Sequence, residues 1–369
     1  MKIILTVTND LSYDQRMMRI CESLSAAGYK VELVGRLRKT SLSLPEKPYY
    51  QTRLRCHFEK GKLFYLEYNL RLLFYLLFQR FDALCAIDLD TILPCLWASQ
   101  WHRKPCVYDA HEYFTEVPEV VRRPRIRKVW ERVANYAVPR MKLCYTVGDG
   151  LAEQLSERYK LPFHSIRNMP VRNAGAIDSS TELRFGVGEK IILYQGALNE
   201  GRGLEVAIEA MQGVEGAVLW LVGEGDLSDA LRMQVARLGL SQKVHFLGYV
   251  PPSDLPAITA KAWIGLNLLE NRGLSYYYSL ANKAFDYIQA GLPSVQMDFP
   301  EYHRLNEEWQ VFEVIAELEV KLLQQALRKL LEDNAHYQKL HKNCLKAAPT
   351  LTWGKESEKL LALYKALFS

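Results

Sequence analysis

The chain is predicted to fold as two α/β domains, each a doubly wound, Rossmann-like parallel sheet. Short, nearly continuous apolar runs alternate with amphipathic helical stretches, as expected of strands covered on both faces by helices. This alternation breaks once, over the small, polar, glycine-bearing stretch from Val171 to Lys190, and then restarts. The length of 369 residues suits two domains of about 150 residues each, with room for a large core.

Taken in order, the first half offers five strands: "KIILTVT" (Lys2–Thr8), "KVELVG" (Lys30–Gly35), "DALCAI" (Asp82–Ile87), "CVYDA" (Cys106–Ala110) and "KLCYTV" (Lys142–Val147). Helical patterns lie between them. In "DQRMMRICESLSAAG" Met17, Ile20, Cys21, Leu24 and Ala27 share one face, and Gly28 stops the helix. After the break come "IILYQG" (Ile191–Gly196), "VLWLVG" (Val218–Gly223), "VHFLG" (Val244–Gly248), "IGLNLL" (Ile264–Leu269) and "SVQM" (Ser294–Met297), with a helical tail from Leu318. The domain boundaries read 1–172, a linker over 173–189, and 190–351, with a cleft between the halves. Ligands of such sheets sit beyond the carboxyl ends of strands.

Apolar residues make up 49% and charged residues 24%, an ordinary globular composition. The net charge of +5 permits contact with phosphates or an anionic surface without demanding either. Seven cysteines show no CxxC pair and no histidine at zinc spacing, so buried free thiols in a reducing, cytoplasmic compartment are expected. "KIILTVT" is too short for a signal peptide, and "LRLLFYLLF" (Leu70–Phe78) is about half a bilayer span.

Four stretches carry candidate chemistry. In "YQGALNEGRGLEVAIEAM" (Tyr194–Met211) a strand ends at Gly196 and a helix begins near Gly203, with Arg202 placed to pair with a phosphate; a plain strand–turn–helix fits the pattern as well. In "LVGEGDLSDALRMQ" Gly223 and Gly225 open a helix as in a dinucleotide fingerprint, but Ser228 holds the third position, and a tight turn explains the pattern better. "SLANKAFDYIQAGLPSV" (Ser279–Val295) reads as a helix capped by Ser279, with Ala284, Phe285 and Ile288 buried and Gly291 and Pro293 ending it. Asn282, Lys283 and Asp286 lie on its other face, where an acid can accept ribose hydroxyls and a lysine can answer a diphosphate; a solvated helix face is the alternative. In the first half, "YDAHEYFTEVPE" gathers Asp109, His111, Glu112 and Glu116 after a strand, and "TNDLSYDQR" brings Asn9, Asp14 and Arg16 to the first strand's carboxyl end. Asp14 can equally cap its helix.

Together, "YQGALNEGRGLE", "LVGEGDL", "VHFLGYVP" and "SLANKAFDYIQAGLPSV…DFPEY" resemble the retaining glycosyltransferases of family four, with the GT-B fold. "DQRMMRICESLSAAGYKVELVG", "YDAHEYFTEVPE" and "LTWGKESEKLLALYKAL" are similar to the family's opening helix, its cleft histidine loop and its closing helix, here over 352–369, which returns to the first domain. The resemblance implies a nucleotide-diphosphate sugar as donor and a saccharide or lipid-linked acceptor in polysaccharide or glycoconjugate synthesis. It implies Arg202 and Lys283 at the diphosphate and His111 at the transferred sugar. Asp286 with Asn282 falls at the ribose, among the loops of Gly196, Gly223 and Gly225. Asn9, Asp14, Arg16 and Glu112 fall on the acceptor side. The chain departs from the family pattern at Ala197, where a second phosphate-binding arginine is usual, and at Tyr278, where the first of two acids is usual. Neither a cofactor, a metal nor a nucleic-acid partner is expected. A sugar-nucleotide epimerase, a phosphorylase or an inactive nucleotide-sugar-binding module on the same fold are the competing readings.

A last expectation is that the first domain rests on an anionic membrane face. The basic run Arg122, Arg123, Arg125, Arg127 and Lys128 precedes Trp130, and "KLFYLEYNLRLLFYLLFQR" (Lys62–Arg80) adds an aromatic helix. That helix can equally be ordinary core.

Overall fold

The computed structural model describes residues 1–12, 14–171 and 189–369. The expected linker therefore lies, but for residue 189, outside the described residues. Two units emerge: residues 1–168 with 355–369, and residues 169–354.

The first unit is built on a parallel sheet of β1 (Lys2–Thr6), β2 (Lys30–Leu37), β3 (Tyr50–Arg55), β4 (Ala83–Ile87), β5 (Cys106–Ala110), β6 (Leu143–Thr146) and β7 (Phe163–Ser165), in the order β3-β2-β1-β4-β5-β6-β7. The helices between strands are α1 (Gln15–Ala26), α2 (Gly61–Leu77), α3 (Ile92–His102), α4 (Pro118–Val121), α5 (Pro124–Ala137) and α6 (Asp149–Tyr159). β1 pairs with β2 on one side (Ile3 opposite Val31) and β4 on the other (Ile3 opposite Ala83), so strand order reverses there. Such a reversal opens a crevice at the strands' carboxyl ends. Asp14 caps α1 by accepting the Met17 amide at 3.0 Å, and Met17, Ile20, Cys21 and Leu24 are fully buried beneath it.

The second unit has β8 (Lys190–Gln195), β9 (Ala217–Val222), β10 (Val244–Gly248), β11 (Ile264–Asn267), β12 (Ser294–Met297) and β13 (Phe312–Ile315), in the order β10-β9-β8-β11-β12-β13. Its helices are α7 (Leu204–Ala210), α8 (Ser228–Arg237), α9 (Leu255–Thr259), α10 (Leu274–Tyr277), α11 (Asn282–Gln289), α12 (Pro300–Trp309), α13 (Val320–Glu332) and α14 (Asn334–Ala347). Here the reversal falls between β8 and β11. The chain then closes with α15 (Trp353–Leu367), most of which belongs to the first unit. Glu356, 2% exposed, accepts the Arg167 amide at 2.9 Å, and the fully buried ring of Tyr364 meets Tyr145 edge-on at 6.4 Å. Burial of the Tyr364 ring stabilises by about 1.5–3 kcal/mol, which helps to fix this helix to the first unit's sheet, while the buried Glu356 carboxylate is compensated by its hydrogen bond.

Three strands have no counterpart in the sequence reading: β3, β7 and β13, each at a sheet edge. All seven cysteines are free thiols, six of them buried. Among the described residues no helix is long and apolar enough to cross a membrane.

Candidate functional site

In the second unit the site residues gather at the switch point between β8 and β11. β8 ends at Gln195, and the chain turns at Gly196 with φ +135°. The Gly196 amide donates to Val222 O at 2.9 Å, and Gly223 lies so close that a Cβ on it would stand 2.0 Å from Gly196 O. Only glycine permits this approach, so Gly223 packs two loops together. Gly225 does likewise against Leu198 and Asn199, and its amide donates to the Ser228 hydroxyl at 2.9 Å.

α11 starts beside this turn. Its N-cap is Ala281, not Ser279: the Ser279 hydroxyl donates instead to Tyr276 O at 2.8 Å, and the Ala281 amide donates to the Tyr302 hydroxyl at 2.9 Å. The helix buries Ala284, Phe285, Tyr287 and Ile288 and presents Asn282, Lys283 and Asp286 on its more open side. The Lys283 ammonium sits 3.7 Å from the centre of the Tyr194 ring, and a Cβ on Gly196 would be 3.3 Å from it. Burial pushes the Lys283 pKa well below the ordinary lysine value; repulsion by Arg202 adds to this, and Asp286 opposes it. Arg202 precedes α7 with its guanidinium 5.1 Å from the Tyr276 ring. Arg272 is committed to Glu200 and Glu270, which ties the Arg202 loop to the segment after β11.

Asp286 is oriented by residues no motif suggested. The buried Gln195 amide donates to Asp286 Oδ2 at 3.1 Å, and Thr259 on α9 donates to Gln195 Oε1 at 2.8 Å. Because Thr259 fills the amide oxygen, the amide nitrogen must face Asp286. Tyr278 caps α10, its ring edge-on to Tyr277 at 5.2 Å, and Ala197 accepts a hydrogen bond from the Tyr194 hydroxyl at 2.8 Å.

The first unit holds a second cluster at the carboxyl ends of β1, β4 and β5. Asp109, fully buried, takes Arg16 Nη2 at 2.9 Å on one oxygen and His111 Nε2 at 3.2 Å on the other. Arg16, 5% exposed, also donates to Ile166 O at 2.7 Å, so its guanidinium supports Asp109 and His111 from within. The His111 amide donates to Asp88 Oδ1 at 2.9 Å. Burial alone would depress the His111 pKa, but Asp109 and Asp88 outweigh it and raise it to about 9. With that shift the ring is an imidazolium at neutral pH, with a proton on each ring nitrogen. Burial raises Asp90 to about 6 while Thr8 donates to it at 2.6 Å, and burial pushes Asp88 well above the carboxylate range. Asn9 donates to Asp14 at 2.7 Å, joining it to the α1 cap, and Glu112 is exposed beside His111. The sequence patterns singled out neither Asp88 nor Asp90. Asp88 adopts a left-handed backbone (φ +55°), a conformation an isolated aspartate gives no sign of in sequence.

Residues 178–348 match the family described as glycosyl transferases group 1. The chain is 38% identical over 75 residues to the D-rhamnosyltransferase WbpZ of Pseudomonas aeruginosa, a stretch covering 20% of this chain and 19% of that protein. It is 28% identical over 101 residues to the lipopolysaccharide core biosynthesis glycosyltransferase LpsE of Rhizobium meliloti, covering 27% and 30% of the two. The chain thus matches under a third of either relative's length. Over nearly its whole length the fold is that of GT-B proteins: the crystal structure of Anabaena HepE in complex with UDP superposes with a TM-score of 0.76 at 16% identity, over 99% of this chain and 100% of that one.

Proposed function

Because residues 178–348 fall within the group 1 glycosyl transferases, we propose that this protein is a retaining glycosyltransferase. It takes a sugar from a nucleotide-diphosphate donor and passes it to a saccharide or lipid-linked acceptor in polysaccharide or glycoconjugate synthesis, at the cytoplasmic face of an anionic membrane. The observation that carries the reading is the convergence of Lys283 and Arg202 at the end of β8. Two cations near enough to repel one another, one of them partly desolvated, form a seat for a dianion. A diphosphate entering this seat returns the proton affinity that burial removes from Lys283.

The chain's residues then divide the work. Arg202 and Lys283 neutralise the charge that grows on the departing diphosphate as the glycosidic bond breaks, an interaction that strengthens towards the transition state. This role needs no metal. Asp286, held by Gln195, accepts ribose hydroxyls, with Asn282 beside it. The imidazolium of His111 donates to a hydroxyl of the transferred sugar. That UDP occupies HepE makes uridine diphosphate sugars the first donors to test.

The reading is tested by supplying nucleotide sugars with a membrane-extract acceptor and following product anomeric protons by NMR. Transfer with the donor's configuration kept is expected. Donor turnover without any transfer to the added acceptor would favour an epimerase; neither binding nor turnover would favour an inactive module.

A further inference from the structure

We propose that an open cavity at the amino-terminal edge of the first unit's sheet binds the headgroup phosphate of an anionic phospholipid, at the foot of an exposed apolar face formed by α2 and α3. The cavity, of about 410 Å³, is lined by Ser99, Arg103, Lys104, Arg140, Lys142 and Leu367, among others. Four of these are cations, and one of the four, Lys104, is paired with an acid, Asp82, at 3.2 Å. The surrounding stretch from Glu119 to Lys142 carries eight basic residues against two acidic ones. A concave site of one sign concentrates field and selects an anion.

The neighbouring surface says which anion. Along α2, Leu66, Leu70 and Phe74 point outward, and Phe78 just beyond it is 82% exposed; on α3 Trp97 and Trp101 do the same, Trp101 at 75%. The two helices pack together where His102 Nε2 meets Leu77 O at 3.1 Å, so Phe78 and Trp101, each next in sequence to that hydrogen bond, are exposed at the same end of the helix pair. Large aromatic and aliphatic side chains grouped in this way mark an interaction surface. The cavity is lined from the same helix, α3, that carries both tryptophans. A phosphate held among cations beside an apolar face is the chemistry of a phospholipid in a bilayer. A second copy of the chain docking by a two-fold axis would instead bring like charges together. The site differs from the basic run expected from sequence. There Arg127 pairs with Glu116 and Glu131, and Trp130 packs between Tyr65 and Phe114 rather than facing outward.

This proposal rests on the membrane contact in the proposed function, and co-sedimentation separates the two. Full-length protein is mixed with neutral phosphatidylcholine vesicles or with vesicles containing phosphatidylglycerol, at low and high salt. Salt-sensitive binding to the anionic vesicles alone is expected. Each cation near the surface contributes roughly fivefold, so Arg140→Ser with Lys142→Ser should weaken binding about 25-fold. Trp101→Ser should weaken it roughly tenfold. At about 0.15 M salt, Arg123→Ser should change it less than twofold, because the start of α5 lies about 20 Å from its end, beyond the screening length of about 8 Å. Circular dichroism and an unchanged thermal midpoint serve as the folding control for all variants. Wild-type protein that stays in solution with anionic vesicles at low salt overturns both readings. Vesicle binding that the cavity and Trp101 variants retain leaves the membrane contact standing and overturns the cavity. Glycerol 3-phosphate binding at micromolar concentration without vesicle binding overturns the lipid in favour of a free phosphate ester.

Discussion

Replacing Lys283 by methionine should make the second unit more stable and its proposed nucleotide binding weaker. The lysine's folded-state pKa lies below its unfolded one, so the unfolded chain binds this proton more tightly. At every pH below the unfolded value of about 10.4 the lysine therefore weighs against folding, increasingly so as pH falls, until the folded-state pKa is passed. Methionine keeps the length and the contact with the Tyr194 ring but carries no charge. Exchanging a desolvated ion for an apolar isostere stabilises by about 1–4 kcal/mol, against which about 0.5–2 kcal/mol of cation–ring attraction is lost. A net gain on the order of 1–2 kcal/mol corresponds to a Tm rise of roughly 2–8 °C for a unit spanning residues 169–354. Nucleotide-diphosphate affinity should fall in the same variant by about 1.5–3 kcal/mol, the worth of a charge-assisted hydrogen bond, or roughly 10- to 150-fold. Scanning calorimetry of the apo proteins and titration with UDP read the two effects separately. A lower Tm with unchanged UDP affinity would refute the argument, since Lys283 would then be a structural residue without an anion to wait for.

Asp286→Ala should weaken UDP binding by about 1.5–3 kcal/mol and erase any preference for UDP over its deoxyribose analogues; Thr259→Val, which frees the Gln195 amide to rotate, should reproduce part of that loss. Arg202→Ala should lower kcat more than donor affinity if its charge acts mainly in the transition state, and steady-state kinetics at saturating donor decide this. The His111 pKa is raised on folding, so its ion pairing contributes fully below about pH 6.5 and is lost as pH rises through about 9. Turnover should fall over that upper range, and a kcat–pH profile that is unchanged in His111→Gln would dismiss the imidazolium as donor.

The interior strands were legible because burial on both faces leaves an unbroken apolar run, as in "ALCAI" and "CVYDA". Strand β3, "YQTRLR", is a half-exposed edge with alternating polar residues, and β7 and β13 are short edges of three and four residues; none makes the run that reveals a buried strand. The α11 cluster could be read because Asn282, Lys283 and Asp286 fall within one helical repeat. Its supports could not: Thr259 and Gln195 are 64 residues apart and Gln195 and Asp286 are 91 apart, and only the sheet brings them together. Arg16 shows the opposite difficulty. A charged residue near a strand end reads as ligand-facing, yet its partner Asp109, 93 residues away, draws it into the interior. The Ser279 cap failed for a local reason: Leu280 and Ala281 intervene before the first helical turn.

The most direct test of the central claim, that the end of β8 seats a nucleotide diphosphate, is the affinity series uridine, UMP and UDP measured by calorimetry on the wild-type protein and on Arg202→Ala. Affinity should rise with each phosphate, with the step from UMP to UDP worth roughly tenfold or more and collapsing in the variant. Equal affinities for UMP and UDP in the wild type, or a UDP step that survives the loss of Arg202, would contradict it.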